Sequence, residues 1–230
     1  MTGFVGRVAL VLTGVLAAAA LAGCSVQPSG WGMIVGQAHD PVSAPPSSSA
    51  PPPRPVEAPT ETHQGKGNGS ITLTWPVDVA GYLTFDCPHC SSNVVVNTDG
   101  DEGLLINAIG AYHGTVWFNV SEDRKPSRTF TVSANSSWTA TITDHRALPT
   151  IRAAIPYEGK GDAVLKVPAG VAHGTFKTGS DGHSAVWVQG GGTMDLAVNQ
   201  IGATTVAFDV PGPTLIAVEA YESKWTFTAS

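Results

Sequence analysis

The chain has 230 residues, of which only 13% are charged, and a net charge of −6. That balance leaves no basic footprint for nucleic acid and no polybasic attraction to anionic lipid head groups. Glycine is abundant at 26 residues, helix-favouring runs of Glu, Lys and Leu are absent, and Thr, Val and aromatic residues recur in alternation. This is an all-β composition.

The chain starts with a single cation, Arg7, followed by an apolar run from Val8 to Ala20 and the tetrapeptide Leu21-Ala22-Gly23-Cys24. A basic start, about a dozen apolar residues and a small-residue cleavage site make a secretory signal. The run is shorter than the roughly 20 residues that a membrane-spanning helix needs. Leu-Ala-Gly-Cys resembles the lipobox of bacterial lipoproteins. The resemblance implies removal of residues 1–23, diacylglycerol on the Cys24 thiol and an attachment to the cell membrane on its extracytoplasmic side. The alanine-rich leader is similar to those of actinobacteria. Residues 24–64 then form a lipidated cysteine and a Pro/Ser-rich linker, whose prolines are too frequent for helix or interior strand. This segment is expected to be a disordered stalk of polyproline II character, with His63 solvated at its end.

From Gly65 onward the chain repeats itself. Gly65-Lys66-Gly67 returns as Gly159-Lys160-Gly161, Leu73 to Phe85 as Leu165 to Phe176, Ile106 to Val120 as Val198 to Val210, and Ser136 to Asp144 as Ser223 to Ser230. We therefore expect two tandem β-sandwich domains, at 65–145 and 157–230, each of six or seven short strands in a jelly-roll-like arrangement. In the first copy Val116, Phe118 and Val120 share a buried face, matched by Val206, Phe208 and Val210. The late Trp-Thr steps, Trp138-Thr139 and Trp225-Thr226, loosely resemble those of pre-peptidase C-terminal domains.

The sharpest chemical motif is Cys87-Pro88-His89-Cys90. With Cys24 lipidated, Cys87 and Cys90 are the remaining pair, and an extracytoplasmic setting favours a disulfide. A reactive dithiol or a metal site are the alternatives. The flanks lack the helix that follows a thioredoxin-type motif, and Thr178 and Asp181 stand at the aligned places in the second copy. The carboxylates of Asp99, Asp101 and Glu102 lie around Gly100, a favoured hairpin turn that misses the EF-hand spacing.

Trp117 lies on the face opposite Val116 and Phe118 and has no aromatic counterpart in the second copy. With Tyr112 and His113 it is either packed against the other copy or forms a platform for a glycan or protein partner. No nucleophile elbow, zinc motif or phosphate loop is present. The expectation is therefore a non-enzymatic surface protein without cofactor or metal, binding an envelope protein or polymer. A redox or metal-handling lipoprotein and a purely structural spacer are the alternatives.

Overall fold

A computed structural model describes residues 57–121, 124–190 and 193–230. The signal and lipobox, and the linker up to residue 56, lie outside the described residues. The described residues are all-β, with sixteen strands in four antiparallel four-stranded sheets.

The first eight strands are β1 (Glu61–Lys66), β2 (Gly69–Thr72), β3 (Gly81–Cys87), β4 (Asn93–Thr98), β5 (Leu104–Ile109), β6 (Tyr112–Phe118), β7 (Thr129–Ser133) and β8 (Ser137–Thr143). They form sheets in the orders β1-β8-β3-β6 and β2-β7-β4-β5. The second eight are β9 (Tyr157–Lys160), β10 (Ala163–Val167), β11 (His173–Thr178), β12 (His183–Gly190), β13 (Thr193–Ile201), β14 (Thr204–Asp209), β15 (Thr214–Glu219) and β16 (Lys224–Ala229). Their sheets, β9-β16-β11-β14 and β10-β15-β12-β13, reproduce the same orders strand for strand. Eight strands in two sheets with this interleaving make a jelly roll.

Each roll closes over its own core. Leu83, Phe85, Phe118, Phe130 and Ile142 are fully buried in the first, and Leu165, Phe176, Ile216 and Phe227 in the second. Alternation places them there: β8 turns Trp138, Ala140 and Ile142 inward, and β16 turns Trp225, Phe227 and Ala229 inward.

Three expectations need correction. Each roll has eight strands, and the ones missed are the first of each, β1 and β9. Their inward positions include Gly65 and Gly159 in place of an apolar side chain, so no hydrophobic period marks them. The tryptophan ring of the neighbouring strand fills that space. A Cβ on Gly65 would lie 2.2 Å from Trp138, and one on Gly159 would lie 2.1 Å from Trp225.

The linker also ends earlier than residue 64. Ala58 is buried and its N–H donates to Asp144 Oδ2 at 3.1 Å, and β1 pairs with β8 from Glu61. His63 is therefore a strand residue opposite Ala140, hydrogen-bonded to Glu61, not a solvated stalk residue. Asp144 secures this entry point. The Arg146 guanidinium, and then the backbone N–H groups of Arg146 and Ala58, hold its carboxyl down at about 2 against its burial. Arg146 also reaches Glu57 at 2.8 Å.

Thirdly, the ladders shift the match between β6 and β14 by two residues. Tyr82 faces Trp117 where the second roll sets His173 against Asp209. Trp117 therefore corresponds to Asp209 and Tyr112 to Thr204. The inward face keeps its parity, with Phe118 and Val210 fully buried and Val116, Val206 and Phe208 packed against the cores.

Candidate functional site

Cys87 closes β3 and Cys90 lies in the turn that leads to β4. The two are joined in a disulfide with Cα atoms 5.5 Å apart. Cys87 is fully buried and Cys90 nearly so, both within the first core. The chain continues from Cys90 into a short turn and then strand β4, so no helix N-terminus is available to stabilise a thiolate. The second roll braces the same turn by other means. Thr178, at the place of Cys87, donates to the Lys224 carbonyl at 3.0 Å and accepts from Ser180 N–H, and Ser223 donates to Ser180.

The carboxylates around Gly100 serve the loop that follows β6. Asp99 Oδ1 accepts from the backbone N–H groups of Arg128 and Thr129 at 2.7 and 2.8 Å, and these bonds lower its pKa. Asp101 accepts from Lys125 N–H, while Glu102 accepts from Asn119 N–H and the Ser127 hydroxyl. The turn reading of this segment holds, with the three carboxylates clasping a neighbouring loop.

The three candidate platform residues do not form one surface. Tyr112 is buried, its ring 6.3 Å from that of Phe85 and its hydroxyl donating to Asp162 Oδ2 at 2.8 Å. Burial, with the Asp162 charge, pushes its hydroxyl pKa well up. His113 is exposed and meets Asp86 at 3.2 Å.

Trp117 packs against the second roll. With Tyr82 and Ala80 it joins Leu148, Val164, Ala217, Trp187 and Leu215 in a cluster that spans both copies. Polar bonds flank it: Thr115 N–H donates to the Asp162 carbonyl at 3.0 Å, Gln189 to the Val120 carbonyl at 2.7 Å, and Tyr221 bonds the backbone of Ile109.

Beside this junction Trp117 and Trp187 line a cavity of about 180 Å³. Leu104 and Met194 are on its wall and are 51% and 39% exposed, large values for apolar side chains. Glu219 lines the same cavity, and burial followed by the nearby Asp162 charge raises its pKa. The sequence marks Trp117 but neither Leu104 nor Glu219, which look like ordinary strand residues until the two rolls are side by side.

Two further concavities, each of about 560 Å³, lie at equivalent places on the outer faces of the two rolls. One borders the Gly65–Trp138 pair and the other the Gly159–Trp225 pair. Among the described residues no helix is long and apolar enough to cross a membrane.

No family model and no curated protein matches the chain. Among solved structures, the CUB1-EGF-CUB2 domain of human MASP-1/3 is similar over 74% of this chain and 99% of that one, at 9% identity and a TM-score of 0.25.

Proposed function

We propose that this chain is a lipid-anchored extracytoplasmic module, non-enzymatic, that presents two jelly rolls to an envelope protein or polymer. The observation that carries the reading is Leu21-Ala22-Gly23-Cys24, a lipobox-like end to an apolar leader. The proline-rich composition from Asp40 to Pro55 supports a spacer between membrane and rolls.

Further support comes from the paired Cys87 and Cys90, which suit an oxidising compartment and leave Cys24 as the one thiol for lipid. The burial of both sulfurs favours a bracing role over thiol exchange. The exposed Leu104 and Met194 beside Trp117 offer an apolar rim of the kind that partners cover.

The test is fractionation of cells expressing the wild type and Cys24→Ala. The wild type sediments with membranes and the variant is recovered in the soluble extracytoplasmic fraction. Retention of the variant in the membrane fraction would overturn the anchor and the function built on it.

A further inference from the structure

The repeated tripeptide Gly-Lys-Gly is only partly explained by packing. Gly65 and Gly159 lie under the tryptophan rings. Gly67 and Gly161 adopt φ of 71° and 70° and accept the indole N–H of Trp138 and Trp225 at 2.8 Å. The lysine between them has no such role. In both rolls it lines the outer concavity, as Lys66 in the first and Lys160 in the second.

The ladders match the two walls residue by residue. In the first roll Lys66 lies opposite Ser137, and Gln64 and Asp86 flank Thr139. In the second Lys160 lies opposite Lys224, and Glu158 and Lys177 flank Thr226. The second wall thus gathers Lys160, Lys177 and Lys224, half of the six lysines in a chain of net charge −6.

Like charges directly across a ladder destabilise a sheet, and Lys224 faces Lys160 in that way. Glu222 pairs with Lys160, and Glu158 shares the wall. Lys177 and Lys224 make no ion pair among the described residues. Lys224, on the strand between the other two lysines, stands directly across from Lys160 and diagonal to Lys177. These spacings are about 5 Å and up to about 7–8 Å, so the flexible ammonium groups of the two outer lysines can converge with that of Lys224 on one oxyanion.

We propose that the concavity over β9, β16 and β11 binds the oxyanion groups of an anionic polymer through Lys160, Lys177 and Lys224. An oxyanion accepts charge-assisted hydrogen bonds from the lysines and relieves their repulsion. The first roll keeps the shape of the site but, with Ser137 and Asp86, lacks its charge. The proposal deepens the partner-binding reading and rests on it only for the setting.

The test is calorimetric titration of the whole chain, held in detergent, with long-chain polyphosphate and separately with polyglutamate at about 50 mM salt, where screening is weak. At least one polymer binds, and the tighter of the two names the source of the oxyanion as phosphate or carboxylate. Lys177→Gln with Lys224→Gln weakens binding roughly tenfold or more, whereas Lys66→Gln changes it less than about twofold. Asp86→Lys with Ser137→Lys, which charges the first concavity, adds a second site.

Absence of binding to both polymers at low salt would overturn the proposal, as would an unchanged affinity in the double glutamine variant or an equal loss in Lys66→Gln. Circular dichroism of each variant confirms that these surface changes leave the fold intact. The readout does not involve membrane fractionation, so its failure and that of the lipid anchor are separate results.

Discussion

At the scale of single residues, the tryptophan–glycine pairs organise both rolls. Trp138 lies 5.7 Å from Phe85 and Trp225 lies 6.1 Å from Phe176, ring centre to ring centre, and each indole covers the glycine on the next strand. Gly159→Ala would place a methyl 2.1 Å from Trp225 Cζ2. Overpacking of this kind costs about 1–3 kcal/mol, so denaturant titration should show that loss for Gly159→Ala and a similar one for Gly65→Ala. A loss below about 0.5 kcal/mol in both would mean that the indoles are not seated as described. The pairing is only half legible in the sequence. The repeat singles out Gly-Lys-Gly and both tryptophans, but residues more than sixty positions apart become neighbours only when β1 meets β8 and β9 meets β16.

At the scale of elements, strand alternation makes most of the fold readable, and its failures have one cause. Strands such as β8 and β16 carry apolar side chains at every second position and announce themselves. Strands β1 and β9 borrow their filling from a neighbour and stay silent. The β3–β4 turn is a crossing between the two sheets and not the hairpin that the alternation of its flanking strands suggests. It is legible as a braced turn because Thr178 replaces Cys87 in the second roll, so the fold has to tolerate either solution. The two are not of equal strength. Closing a loop of about four residues with a disulfide stabilises by about 2 kcal/mol in the chain-entropy account. Cys87→Ser with Cys90→Ser should therefore lower the melting temperature by about 4–8 °C, and reductant should shift the wild type by a similar amount and leave the variant unmoved. A reductant effect of equal size in both proteins would remove the bracing role from Cys87 and Cys90.

At the scale of the whole molecule, the two copies differ most where they meet. The outer face of the first roll carries Tyr82 and Trp117, and the matching rung of the second carries His173 and Asp209, bonded to each other and open to solvent. The second roll in turn carries Val164, Trp187, Leu215 and Ala217 where the ladders of the first hold Ser70, Asn97, Thr129 and Thr131. The rungs that are apolar at the junction in one roll are polar in the other, so the contact joins unlike faces, and the matching rungs are too polar to repeat it. The difference between the copies is thus the sequence signal for the junction. It singles out Trp117 but not Trp187, because β4 and β12 share too little sequence to be aligned without their ladders. The cluster should couple the melting of two otherwise separate cores. Trp117→Ala with Trp187→Ala removes about 2 kcal/mol at each half-buried site, most of it from the contact between rolls. Calorimetry should then resolve two transitions in place of one, and a reporter in each roll should follow its own transition. A single transition that merely moves to lower temperature would place the coupling elsewhere, in the Asp162 bonds to Tyr112 and Thr115 that would remain intact.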